Sequence, residues 1–524
     1  MNMGARIVGA AMAVALVSGW VLSSALAQNT LVVAGVATAA NLDGDITQPG
    51  TIETAVNVYE GLTKYATRRT ADGRIEVDPS RMEPHLATQW EVSPDGRVYT
   101  FTLRRGVKSP FGNELTADDV VFGWQKSQHQ KQFGSFIIRV GRAVNVEAVA
   151  RDKVRFTLET PNRVFLGAAY TYAPGIYDSV EAKKHVADDD PFAAKWLGKN
   201  TAGYGAYHVI SSKPGEGMVW EANPNYFEGA PFYSRIVYRE IPSAANRVAL
   251  IRSGAVQWAE DIPLQQLVDL RNDRNVKIES VPGTGSAEVR MNPKFKPFDD
   301  VRVRRAIVMA TDFNGIGSAV FRDAGTRVRS IISPAFLGHA ETYTYENNVE
   351  QAKKLLAEAG FPSGLNIALE YSNRYWWEEG LAVQMKNSLA TAGINLDLKR
   401  ITATEMVNRR VAGTTSLPFF TMSINSFVLE PSYLLLAVAH SKGIANYSAY
   451  SNPEIDAVID EMFVERDDAK YLALVKKAQE IHAADAAYVN TFYPGTHAVM
   501  AACISGWLWQ PHERTVFKNL RCNR

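Results

Sequence analysis

Residues 371–380 read YSNRYWWEEG: the guanidinium of Arg374 is followed by three aromatic rings, Tyr375, Trp376 and Trp377, and then by two carboxylates, Glu378 and Glu379. A guanidinium offers a planar fork of donors matched to a carboxylate or phosphate. Rings beside it cover the apolar part of a small molecule while keeping a polar edge free. Read as chemistry, the run can grip an anionic group and shield an apolar one. The competing reading packs one or both tryptophans into a core or between domains and pairs Arg374 with a surface carboxylate.

The flanking pattern supplies a scaffold for this run. Ile367, Leu369 and Tyr371 alternate as a strand, Glu378 to Ala392 has helical composition ending at Gly393, and Ile394, Leu396 and Leu398 alternate again. The switch of period predicts a β-α-β unit with parallel strands. Arg374 to Trp377 then lie at the carboxyl end of the first strand, beside the amino end of the crossover helix, where ligands gather in such units. Backbone N–H groups at that helix start favour an anion, with Glu378 and Glu379 competing for the same donors.

Other elements alternate along the chain. Residues 90–103 read as a hairpin turning at Ser93-Pro94-Asp95-Gly96, and Thr116-Ala117-Asp118-Asp119 has the form of a capping box opening a helix through Val120, Val121 and Trp124. Asp299 or Asp300 caps a helix carrying Val303, Ile307 and Ala310, and Val349, Ala352, Leu356 and Ala359 mark another that stops at Gly360. Asn452 before Pro453 starts a further helix, and helical periodicity resumes from Lys470 to Ala484. No internal repeat or flexible linker stands out.

Catalytic motifs are missing. There is no His-Glu-x-x-His run, no phosphate-cradling P-loop and no Gly-x-Ser-x-Gly elbow. Gly283-Thr284-Gly285 lacks the third glycine of a dinucleotide fingerprint and reads as a connector between strands. The nine histidines form no ligand pair; His440 reads as a solvated loop residue rather than a metal ligand. Asp188-Asp189-Asp190 reads as a solvated helix cap rather than a calcium loop. The sequence predicts no enzyme, no resident cofactor and no metal site.

The chain has 524 residues, which suggests roughly two to four domains. Arg6, the apolar run Ile7–Leu22 and Ala25-Leu26-Ala27 predict a cleaved signal peptide over 1–27 and a periplasmic destination. The apolar run is shorter than the roughly 20 residues of a membrane span, and no cysteine follows it for lipid attachment. Beyond residue 27 the chain carries 55 basic and 55 acidic side chains, since Arg6 alone is charged before that point. That balance argues against nucleic acid or an anionic membrane as a partner. The two cysteines, Cys503 and Cys522, are expected to form one disulfide worth about 3 kcal/mol in the chain-entropy model; a metal pair or free thiols are the alternatives.

Several runs resemble one family. They are NVYEGLTKY (57–65), PHLATQWEVSPDGRVYTFTLRRGVKSPFGNELTADDVVFGW (84–124), NPNYFEGAPF (223–232), FDDVRVRRAIVMATD (298–312), QAKKLLAEAGFPSG (351–364) and YSNPEIDAVIDE (450–461). In this order they resemble the bacterial extracellular solute-binding proteins of family 5, which serve peptide, opine and nickel ABC importers. The resemblance implies an α/β fold of two hinged lobes, the type II periplasmic binding protein fold, with an extra subdomain in the first lobe. It implies a first lobe from 28–55, 200–280 and 485–524, a subdomain over 56–199 and a second lobe over 281–484. It also implies a monomer that closes on a small-molecule ligand and presents it to an ABC permease.

The resemblance extends to the site. Peptide-binding members place an aspartate for the peptide ammonium a few residues before an acidic-Pro pair; here, with Glu430-Pro431 as anchor, that place falls on Phe427, with Asn425 or Glu430 as the substitute. Arg374 stands where such proteins often hold a ligand carboxylate, and Trp258 in SGAVQWAEDIP (253–263) is the candidate ring from the first lobe. The expected ligand is a small anionic molecule with an apolar or sugar-like body, with a peptide as the family default. The rivals are an exported hydrolase on the same scaffold and a nickel or metal-complex binder using His440.

Overall fold

The computed structural model describes residues 29–523 except 49, 71–72, 323, 412–415 and 424; the expected signal peptide lies outside the described residues. Two large sheets organise the chain. The first has seven strands in the order Val276–Val281, Thr496–Ala501, Trp258–Ala259, Thr30–Gly35, Arg235–Glu240, Gly217–Ala222 and Tyr207–Lys213. Its centre is parallel: Thr30–Gly35 runs alongside both Arg235–Glu240 and Trp258–Ala259. The second has six strands in the order Thr326–Arg327, Tyr488–Tyr493, Ala287–Met291, Phe419–Met422, Leu365–Tyr371 and Ile394–Arg400.

The β-α-β unit read from the sequence forms the edge of the second sheet. Strands Leu365–Tyr371 and Ile394–Arg400 pair in parallel from Leu365 with Ile394 to Tyr371 with Arg400, and the crossover helix is Glu378–Ala390. Leu381, Met385 and Leu389 are its buried stripe, spaced three to four residues apart as one helix face requires.

The chain passes between the two sheets twice. One crossing is 282–286, between Val276–Val281 and Ala287–Met291, and it contains Gly283-Thr284-Gly285; the other is Pro494-Gly495, between Tyr488–Tyr493 and Thr496–Ala501. Residues 485–493, expected with the first lobe, belong instead beside the second sheet, because Tyr488–Tyr493 is hydrogen-bonded to Ala287–Met291. Every residue of that strand is buried, so it lacks the in-out alternation that would reveal it.

The 90–103 hairpin forms as expected, Val92 facing Tyr99, within a four-stranded sheet of Ala87–Val92, Val98–Leu103, Lys153–Leu158 and Ala143–Ala150. The capping box is present: the Thr116 N–H donates to Asp119 Oδ2 at 2.7 Å at the start of helix Ala117–Gln130. Asp300 caps helix Val301–Ala310 and Asn452 caps helix Pro453–Val464. Asp190 caps as expected, accepting from the Ala194 and Lys195 N–H groups, but it is buried rather than solvated. Cys503 and Cys522 are joined as a disulfide.

Candidate functional site

A cavity of about 1810 Å³ opens where the two sheets and the four-stranded sheet's helices meet, and Arg374, Tyr375, Trp376, Trp377, Asn425, Phe427 and Trp258 all line it. These seven side chains come from three separate stretches of sequence. The cavity exceeds the usual range of small-ligand pockets, about 300–1,000 Å³, so it has space for a solute of several residues' bulk together with water.

Their contacts differ in kind. Arg374 is exposed, lies 5.5 Å from the Tyr375 ring centre, and forms no ion pair among the described residues. The surface carboxylate that the competing reading requires is therefore not found among them. Trp376 is 37% exposed and meets Phe321 edge-on. Trp377 is 2% exposed and stacks on Tyr375 with centroids 5.5 Å apart, so it acts mainly as a rigid backing for that ring. Trp258 is also 2% exposed and packs edge-on against Phe517 in the first sheet's core. Phe427 is half-buried between Phe133, at 4.9 Å, and Tyr172, so this part of the wall is aromatic.

Glu378 ties down the loop that carries Arg374 and Tyr375. Its buried carboxylate accepts from the backbone N–H groups of Arg374 (3.1 Å) and Tyr375 (3.3 Å), from Ser372 Oγ (2.6 Å) and from Thr421 Oγ1 (2.9 Å). Glu378 thus anchors the loop that precedes the helix, rather than capping the helix itself, and its own N–H donates to the Tyr375 carbonyl at 3.2 Å. The Arg374 guanidinium, carried on that anchored loop, is exposed and lines the cavity.

The opposite wall carries charge that the sequence reading did not select. Glu53, Tyr238, Glu260, Asp261, Glu513 and Arg514 all line the cavity. Arg514 Nε lies 2.9 Å from Glu53 Oε1, and the Tyr238 hydroxyl donates to Glu260 Oε2 at 2.6 Å. Burial, together with the Glu53 and Asp261 charges, pushes the Glu260 carboxyl up to about 8. Glu53 above all holds the Arg514 guanidinium in its charged form. Burial beside Arg514 brings the His512 imidazole down to about 3, so this ring is neutral at physiological pH. Glu513 accepts from the Thr284 N–H (2.8 Å) and Thr284 Oγ1 (3.1 Å) through one oxygen, and from Asn425 Nδ2 (2.8 Å) through the other.

The sequence held a partial signal for this wall: Glu260 and Asp261 follow Trp258 with only Ala259 between them, and two adjacent carboxylates lie close after a candidate ring. Glu53 sits on helix Thr51–Val58 among buried neighbours, and no sequence pattern tied it to Arg514, 461 positions away. His440 is a correction: it is buried rather than solvated, its Nδ1 accepts from the Lys442 N–H at 3.0 Å, and it does not line the cavity.

The model of the bacterial extracellular solute-binding proteins, family 5 Middle, matches residues 81–446, well over half of the chain. The chain belongs to this family. As a family 5 protein it is an extracellular solute-binding protein, and the resemblance carried by the six sequence runs holds. One relative is the probable D,D-dipeptide-binding periplasmic protein of Escherichia coli (strain K12), 24% identical, the match covering 90% of this chain and 92% of that one. Among solved structures, a dipeptide binding protein from Pseudoalteromonas sp. SM9913 in complex with Met-Leu is similar at a TM-score of 0.81 and 21% identity, over 94% of this chain and 100% of the other. The mannopinic acid complex of a periplasmic binding protein from A.tumefacien R10 is similar at a TM-score of 0.78 and 24% identity, over 95% and 100%. At these identities the structures establish the fold, which is the expected periplasmic binding protein architecture.

Proposed function

We propose that this family 5 protein is the periplasmic receptor of an ABC importer, closing two lobes on a small organic solute and presenting it to a membrane permease. The observation that carries the reading is the single cavity between the two sheets in which Arg374, Tyr375, Trp376, Asn425 and Phe427 converge. The lobes are those inferred from the sequence, with residues 485–493 moved to the second, and the crossings at 282–286 and 494–495 serve as the hinge. A solute touching both walls favours the closed form by its difference in affinity for the two states, and no bond in it has to change. The protein acts as a monomer and not as an enzyme.

The Arg374 guanidinium holds an anionic group of the solute, and Tyr375, Trp376 and Phe427 cover its apolar body. Relatives whose names or bound ligands are dipeptides and an opine-type acid support a solute of amino-acid-derived chemistry. Mass spectrometry of the small molecule copurifying with the mature protein, followed by calorimetric titration, tests this directly. Arg374→Ala is expected to weaken binding by about 1.5–3 kcal/mol, the range for a hydrogen-bonded charge. An unchanged dissociation constant would remove Arg374 from the site.

A further inference from the structure

We infer that the corner formed by Glu53, Glu260 and Asp261 is a second ligand subsite, which takes a protonated amine of the same solute that Arg374 holds by its anion. The inference rests on the receptor reading above. It moves the cation-binding function from the second lobe, where Phe427 stands, to the first.

Three carboxylates share two guanidinium charges here, those of Arg514 and Arg247. Glu53 uses Oε1 toward Arg514, while its Oε2 is buried at the cavity wall with no hydrogen-bond partner, in a residue only 8% exposed. Glu260 and Asp261 form no ion pair among the described residues. The nearby guanidinium of Arg247 forms an ion pair with neither side chain, because its donors go to backbone oxygens, Glu260 at 2.8 Å, Asp261 at 2.7 Å, Ile241 at 2.7 Å and Pro242 at 2.9 Å; its charge acts on both carboxylates only from a distance. Arg247 therefore fixes the loop and leaves both carboxylates to the cavity.

A buried carboxylate oxygen without a donor is costly unless a donor arrives. No group of three or more His, Cys, Asp or Glu among the described residues is arranged to hold a metal ion. The geometry therefore fits an organic ammonium, whose three donors can reach separated acceptors. Glu260 faces Glu53, Asp261, Tyr238 and Arg514 and holds a proton up to about pH 8, so an arriving ammonium takes the place of that proton. Atoms balance simply: the solute's N–H group binds and one proton leaves Glu260 for solvent.

Three probes share one body and differ only in end charge: Ala-Phe, N-acetyl-Ala-Phe and Ala-Phe amide. Calorimetry on the mature wild-type protein is expected to show Ala-Phe binding at least about tenfold more tightly than the acetylated form, with proton release near neutral pH. In Glu260→Gln and in the exposed Asp261→Asn variant, each checked by circular dichroism, that ratio should shrink toward one. Arg374→Ala should leave it intact and shrink the penalty of the amide instead. Equal binding of Ala-Phe and its acetylated form overturns the inference while leaving the receptor reading in place. So does an acetylation penalty that survives unchanged in both acidic-residue variants, or binding of none of the three probes. The absence of any copurifying or titratable solute would instead count against the receptor reading.

Discussion

The side-chain amide of Asn425 donates to the Glu513 carboxylate across 2.8 Å, joining the loop after strand Phe419–Met422 of the second sheet to the C-terminal segment that lines the first-lobe wall. The same carboxylate accepts two hydrogen bonds from Thr284 in one of the two crossing segments. A single acidic residue thereby ties a crossing segment, the second-lobe wall and the first-lobe wall together. Space is tight around it: a Cβ added to Gly285 would lie 1.9 Å from Asn425 Oδ1.

In the receptor reading proposed above, this contact is expected to latch the closed form. Asn425→Ala leaves one oxygen of Glu513 without its donor, and solute affinity is expected to fall by about 1–2 kcal/mol. Calorimetry with the copurified solute measures the loss, and small-angle scattering should show a larger radius in the unliganded variant. An affinity equal to the wild type's would show that Asn425 and Glu513 contribute nothing to closure.

Glu378 holds the Arg374 loop in place. Glu378→Ala removes the acceptor of the Tyr375 N–H and of the Ser372 hydroxyl, while the Arg374 N–H keeps Ser372 Oγ at 3.2 Å, so a stability loss of about 1–3 kcal/mol is expected in urea unfolding. Solute affinity should fall with it, since the loop that aims the guanidinium is released. A variant that keeps wild-type stability would mean the loop is ordered by other contacts.

Glu260 makes stability fall as pH rises. Its folded-state pKa is pushed from 4.5 up to about 8, so the folded protein holds a proton that the unfolded chain gives up. The stabilisation is complete below the unfolded value and is lost progressively as pH climbs through 8. Urea unfolding across this window should show a downward slope with pH that is shallower in Glu260→Gln. His512, brought down to about 3, acts oppositely below its ordinary value, which is why the comparison with the variant is needed.

Lys518 sits between two carboxylates, 2.8 Å from both Glu60 and Glu228, and Glu60 in turn lies 2.8 Å from His85. The cluster ties the C-terminal segment to residues 60 and 85 of the subdomain region. Lys518→Met leaves both carboxylates without their main counter-charge, and a loss of about 3–5 kcal/mol is expected. Glu228, brought down to about 2 and only half-buried, should account for the smaller share. Denaturant midpoints of the wild type and the variant give the difference.

Much of the local architecture was legible because it is written in short-range patterns. The 90–103 hairpin carries its own turn, the capping box at Thr116 and Asp119 closes within one helical turn, and the β-α-β unit shows its two periods in the 32 residues from Ile367 to Leu398. Tyr488–Tyr493 was misplaced because burial on both faces removes the alternation that marks a strand's orientation. His440 was misread because a polar residue in a loop gives no sequence sign that helix Pro453–Val464 will cover it.

The sequence by itself determined the family, the β-α-β frame, and an arginine with aromatic rings at the mouth of that frame, since each depends on residues within a few turns of one another. Only the tertiary structure decided that Trp258 packs against Phe517 and that Glu53, Glu260 and Arg514 share one wall. These are relations between segments hundreds of residues apart, brought together by two sheets and two crossings. Burial and charge at such a wall are properties of the assembled surface, and no stretch of chain carries them alone.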